Sequence, residues 1–266
     1  MTSKPSAAVL QAFGLAGGIE LLAGGYETSV RVGQVVLKQV MDLDVAAFCQ
    51  QVLSGLTDRS VTVPKPLRTQ SGEWSADGWT ATRFVEGLSS ARNEPALLIK
   101  AGRELAEALV GAEHIDGGVV RARTDRWAVS ERFVFDEVDI SLSAQTDRVV
   151  AALRACITDE AGPTQLIHAD LAGNVFVDPN GTPVVLDFTP AFRPVGFQTG
   201  VILADTLLWG DSASGPVDLH VDLLNGDTSN LARGLLFRLI AAELAVGEGN
   251  ADLASCESVI AHLDWR

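Results

Sequence analysis

Two short apolar runs separated by turn-forming residues constrain this chain more than any other feature. Val175, Phe176 and Val177 lead into Asp178-Pro179-Asn180-Gly181, and Pro183 to Leu186 follows, a pattern that predicts a β-hairpin. A hairpin returns the chain to where it began, so Asn174 at one end and Asp187 at the other should lie side by side. Asp170, four residues ahead of Asn174, projects from the loop that enters the hairpin. A carboxylate, an amide oxygen and a second carboxylate gathered in this way suit Mg²⁺, a hard cation that takes oxygen ligands and completes its shell with waters and substrate phosphates.

With 266 residues the chain can form one large domain or two lobes around a substantial core. Its net charge of −14 argues against a nucleic-acid partner, which needs a concentrated Lys/Arg surface, and is compatible with a cationic substrate. No apolar run reaches the ~20 residues that span a bilayer, and no basic segment leads into an apolar stretch at the N-terminus, so the expectation is a cytoplasmic protein with no membrane partner. Cys49, Cys156 and Cys256 are odd in number and widely spaced, which predicts buried thiols rather than a disulfide framework or a zinc site.

Ahead of the hairpin, Ser6 to Leu15 predicts a short helix, and Glu20–Ala23, Thr28–Val32 and Val35–Val40 predict an antiparallel meander. Gly24-Gly25 in the first connection is either an ordinary turn or a loop whose backbone N–H groups receive phosphate oxygens. Strand alternation puts Val36 and Lys38 on one face and Val35, Leu37 and Gln39 on the other. Lys38 there either lays its stem along the sheet or serves a ligand. Asp42 to Leu56 predicts a helix that buries Val45, Phe48, Cys49, Val52 and Leu56, and Trp79 to Val85 predicts a further strand. Helices are expected over Ala96–Val110, Asp147–Ile157, Gly200–Leu208, Asn230–Val246 and Asp252–Leu263, with an irregular stretch from Gly117 to Asp136 whose Trp127, Arg132 and Phe133 are candidates for a substrate site.

His168-x-Asp170, then Asn174, then a hairpin closing on Asp187-Phe188, resembles the catalytic core of the aminoglycoside phosphotransferase family, the small-molecule branch of the protein-kinase-like fold. The resemblance implies an α+β fold in two lobes, residues 1–85 forming a nucleotide-binding lobe with a small antiparallel sheet and residues 86–266 a larger helical lobe that carries the catalytic loop and the metal-binding hairpin. It implies ATP- and Mg²⁺-dependent transfer of phosphate to a hydroxyl of a small molecule. Asp170 is then the catalytic base, Asn174 and Asp187 hold metal, His168 supports the loop, and Lys38 with Gly24 and Gly25 positions phosphates. Arg83 to Gly87 becomes the hinge between lobes, with Phe84 or Val85 lining an adenine pocket. Asp205, the single charge in an apolar helix, needs partners because an unpaired buried carboxylate is costly. The equivalent Asp of kinase-like folds receives backbone N–H groups of the catalytic loop, and that is the role expected here.

Three departures accompany the resemblance. Asn174 follows Asp170 by four residues where the family has five, Thr189 stands where a protein kinase has Gly, and the helix from Asp42 carries Gln50 and Gln51 but no central Glu to pair with Lys38. Without that Glu, the main ionic contact of Lys38 in the absence of nucleotide should be Asp187, with Asp44 or Gln51 secondary. A nucleotide-binding protein without turnover is the first alternative. The second takes His168, Asp170 and His220 as the two-His-one-carboxylate iron site of an oxygenase, which requires strands between Asp170 and His220. His114, His220 and His262 otherwise read as isolated residues, and neither the phosphate acceptor nor the oligomeric state is specified.

Overall fold

Residues 4–22, 29–56, 61–112, 114–158, 162–210 and 228–245 are described by a computed structural model. Gly24, Gly25, His220, Cys256, His262 and the helix expected over 252–263 lie outside the described residues.

Helix α1 (Ala7–Ala12) starts at Ser6, whose hydroxyl accepts a hydrogen bond from the Val9 N–H. Strands β1 (Glu20–Leu21), β2 (Ser29–Val32), β3 (Val35–Gln39), β4 (Pro66–Leu67), β5 (Ser75–Ala76) and β6 (Trp79–Arg83) form one antiparallel sheet in the order β1-β2-β3-β6-β4, with β5 also paired to β6. Alternation sorts its side chains. Val30, Val32, Val35, Leu37, Trp79 and Ala81 bury together with Val9 under α1. The register Ser29↔Lys38↔Thr80 and Arg31↔Val36↔Thr82 puts Lys38 on the opposite face.

Helix α2 (Leu43–Ser54) is capped by Asp42, which accepts from the N–H groups of Asp44 and Val45. Its buried Phe48, Cys49 and Val52 join the larger core built by the C-terminal helices rather than the small core under α1. The helix therefore links the two parts of the molecule. Burial pushes the Cys49 thiol up to about 12, as expected of an inert buried cysteine.

The larger part contains α3 (Pro95–Leu109), α4 (Gly118–Arg121), α5 (Arg126–Val134), α6 (Ala144–Ala155), α7 (Val195–Trp209) and α8 (Thr228–Leu244). The stretch expected to be irregular thus holds two helices. Apolar periodicity is weak there, and the readable sign of α5 is its cap, Asp125, which accepts from the N–H groups of Trp127 and Ala128. Strands β7 (Ser89–Ser90), β9 (Val175–Val177) and β10 (Pro183–Val185) form a small sheet, and β8 (Gln165–His168) pairs with β11 (Pro190–Arg193). The β9–β10 hairpin has the expected antiparallel register, Val175↔Val185 to Val177↔Pro183, and its turn is held by the Asp178 carboxylate accepting from the N–H groups of Asn180 and Thr182. Arg193 ties β11 to α5 and the residues after it through Glu131 and Glu137, at 2.6 Å and 2.5 Å.

Helices α7 and α8 cross with backbones nearly in contact. A Cβ on Gly200 would lie 1.8 Å from the Asn230 carbonyl oxygen, and one on Gly234 would lie 2.1 Å from that of Gly200. Only glycine permits this approach at those two positions. Among the described residues no helix is long and apolar enough to cross a membrane.

Candidate active site

The loop between β8 and β9 is closed by bonds from its own polar residues. His168 is fully buried, its Nδ1 accepting from the Asp170 N–H at 3.1 Å and its Nε2 donating to the Leu186 carbonyl at 3.4 Å. Burial holds the imidazole neutral with its pKa lowered to about 4, against the smaller opposing pull of Asp170 and Asp187. Asn174 donates through Nδ2 to the Asp170 carbonyl at 2.7 Å, and its own carbonyl accepts from the Leu186 N–H at 2.7 Å. Residues 168, 170, 174 and 186 thus fix one another, and the amide oxygen of Asn174 is left for other work. With Asn174 four positions after Asp170, the loop closes on these partners with no residue from 168 to 174 at positive φ.

Asp187 follows directly on the hairpin at φ 54°, a left-handed conformation uncommon for a non-glycine residue and tolerated best by Asp and Asn. Its Oδ1 accepts from Lys38 Nζ, which joins the face of the sheet away from α1 to the end of the hairpin. This is the contact anticipated from the missing Glu. Among the described residues no side chain of α2 pairs with Lys38; Gln51 is exposed, and Gln50 is buried with its Oε1 unpaired. Cys49 reaches the same segment, its Sγ 3.7 Å from the Phe188 carbonyl.

Asp205 does not do what was expected of it. Its two oxygens accept from Arg238 Nε at 2.5 Å and Nη2 at 2.6 Å, not from backbone N–H groups of the His168 loop. That backbone role falls to Gln198, seven residues earlier on the same helix, whose Oε1 accepts the His168 N–H at 3.1 Å. Gly102 of α3 makes room for it, since a Cβ there would sit 2.5 Å from Gln198 Nε2. Arg238 also donates from Nη2 to Asp170 Oδ1 at 2.6 Å. Burial pulls the pKa of this guanidinium down, but Asp205 and Asp170 outweigh it and hold it above that of free arginine. Neither Gln198 nor Arg238 was singled out in the sequence. The readable sign of Arg238 is a cation inside the apolar run Leu235-Leu236-Phe237-Arg238-Leu239-Ile240, which needs a buried counter-ion.

Of the remaining candidates, Phe84 lies just beyond β6, stacked under the Arg31 guanidinium at 3.8 Å, with its N–H donated to the Gln34 carbonyl. The Val85 N–H has no partner among the described residues. Trp127 comes to 5.4 Å from the Arg238 guanidinium carbon, whereas Arg132 donates to the carbonyls of Arg121 and Arg123, and Phe133 is a core residue under Arg154. The oxygenase reading fails at His168, because both ring nitrogens are already bonded and the ring is fully buried.

A family model described as "Phosphotransferase enzyme family" matches residues 19–193. No curated protein matches the sequence. Among solved structures, a thermostable mutant of aminoglycoside phosphotransferase APH(4)-Ia in ternary complex with ADP and hygromycin B is similar at TM-score 0.62 and 15% identity, covering 96% of this chain and 97% of that one. Choline kinase LicA from Streptococcus pneumoniae is similar at TM-score 0.60 and 13% identity over 96% of both chains. Macrolide 2'-phosphotransferase MphH from Brachybacterium faecium gives TM-score 0.50 and 18% identity over 97% of this chain and 96% of that one. At these identities the structural likeness establishes the two-lobed, protein-kinase-like fold.

Proposed function

The chain belongs to the phosphotransferase enzyme family, and on that premise we propose that it transfers the terminal phosphate of ATP to a hydroxyl of a small molecule in the presence of Mg²⁺. The observation that carries the reading is the bridge from Lys38 to Asp187, which joins a cation on the sheet to a carboxylate at the end of the hairpin. Both side chains remain open to solvent, 37% and 50% exposed, so phosphate and metal can separate them at small cost.

Asp170 is the base. Its Oδ1 is held by Arg238, and Oδ2 has no protein partner among the described residues, so the acceptor hydroxyl donates its proton there. As that proton moves to Oδ2, the acceptor oxygen bonds to the terminal phosphorus and the bond to the departing ADP oxygen breaks. Lys38 pairs with nucleotide phosphates once released from Asp187, and the Val85 N–H is available to the adenine ring while Phe84 shapes the wall beside it. Asn174 Oδ1 and Asp187 supply the two oxygens that suit Mg²⁺, and the bound ion would neutralise phosphate charge during transfer. We place the lobe boundary between Val85 and Glu86 and propose Gly24-Gly25, outside the described residues, as phosphate-binding residues. A cytoplasmic location with no nucleic-acid partner accords with this reading, since a charge of −14 repels polyanions.

A second reading, nucleotide binding without turnover, draws on Gln50 and Gln51 standing where a Glu would lock Lys38. Turnover separates the two. Protein incubated with Mg²⁺, γ-labelled ATP and a panel of alcohols, sugars and amino alcohols is expected to transfer label to at least one of them. Binding of ATP with no label transferred and no ADP formed would favour the second reading.

A further inference from the structure

Arg238 lies outside every segment that the sequence marks as catalytic, yet it is the only side chain bonded to the Asp170 carboxylate among the described residues. Its position follows from the crossing of α7 and α8. Gly200 and Gly234 bring the two backbones together, and Arg238, four residues beyond Gly234, then meets Asp205, five residues beyond Gly200. The guanidinium side chain is 5% exposed and lies among Trp127, Trp209 and Phe237, with ring centroids 5.4 Å, 5.6 Å and 5.1 Å from its central carbon.

A guanidinium is a planar fork with fixed N–H directions. Asp205 occupies the edge formed by Nε and Nη2, so the plane cannot turn about its own axis. Nη2 has one further N–H, directed to the other edge, and Asp170 Oδ1 takes it. Nη1 shares that second edge and has no partner among the described residues. One oxygen of Asp170 is therefore held from a rigid, buried anchor while the other stays open.

We propose that Arg238, locked by Asp205, is a positioning residue that fixes the Asp170 carboxylate in the orientation needed to receive the acceptor proton. The inference rests on the phosphotransfer reading of the site. It makes the docking of α8 a condition for activity.

The test must separate positioning from folding, because Arg238→Met leaves the Asp205 carboxylate buried without a partner and should lower Tm by about 10 °C. Replacing both members of the pair, Arg238→Met with Asp205→Leu, removes the buried charges and should return Tm close to that of the wild type. Mg²⁺-dependent ATP hydrolysis, with water as acceptor, is then followed in both variants. The double variant should still lose about 100-fold in kcat with KM for ATP unchanged, and a crystal structure should show the Asp170 carboxylate out of its wild-type rotamer. Recovery of wild-type kcat together with Tm would reduce Arg238 to a structural role and overturn the proposal, as would an unmoved Asp170. Wild-type protein that binds ATP but never hydrolyses it would instead defeat the phosphotransfer reading, and the crystal structure would still decide whether Arg238 holds Asp170.

Discussion

Asp170→Asn should cut Mg²⁺-dependent turnover of ATP by about 1,000-fold while leaving the affinity for ATP within a few-fold of wild type. The amide keeps the size of the carboxylate and the backbone N–H to His168 Nδ1 is untouched, so the loop should keep its shape. What is lost is the ability of Oδ2 to take a proton, together with the charge on Oδ1 that Arg238 holds. The Asp170 carboxylate bonds to neither Lys38 nor Asp187, and nucleotide binding should therefore survive. The measurement pairs initial rates of ADP formation with a calorimetric titration on the same preparation. Turnover within tenfold of wild type would remove Asp170 from the chemistry.

The second large effect is on stability, and its sign follows from His168. The folded protein holds this imidazole at a pKa of about 4 against an ordinary 6.5, because burial disfavours the cation. Between these values the unfolded chain binds a proton that the folded chain refuses, so stability rises with pH. The contribution is complete above pH 6.5 and disappears as pH falls through about 4, a difference of about 3 kcal/mol. Protonation would also turn Nδ1 from acceptor to donor against the Asp170 N–H, opening the loop between β8 and β9. Denaturant unfolding of wild type and His168→Gln at pH 7 and pH 4.5 isolates the contribution of His168 by difference, since carboxylates such as Asp125 and Glu137 titrate in both proteins. The variant should lose markedly less stability across that interval. Equal losses would mean that His168 is not buried neutral.

The hairpin, the face of Lys38 and the Lys38–Asp187 contact are legible in the sequence because each depends on local pattern. Two apolar runs and a turn define the hairpin, a period of two defines the face, and the absence of Glu from α2 leaves Asp187 as the remaining partner. Helices α4 and α5 escape notice because capping by Asp125, not apolar spacing, marks their region. The exchange of roles between Asp205 and Gln198 escapes for another reason. Both residues lie on one face of α7, seven positions apart, and which of them meets the His168 loop is decided by the room that Gly102 leaves on α3. Arg238 joins Asp170 across 68 residues of chain through a helix crossing that no single stretch encodes. Charge in an apolar run announces that a partner exists without saying where it is.

A nucleotide site at Lys38 and Asp187 that works through Mg²⁺ should be visible in calorimetric titration with ATP. With Mg²⁺ present, one ATP should bind per chain, weakly because the Lys38–Asp187 bridge must open first, and binding should become much weaker when Mg²⁺ is chelated. Asp187→Ala should abolish that dependence on Mg²⁺. No detectable binding under any condition, or binding indifferent both to Mg²⁺ and to Asp187→Ala, would rule out a nucleotide site built on Lys38 and Asp187.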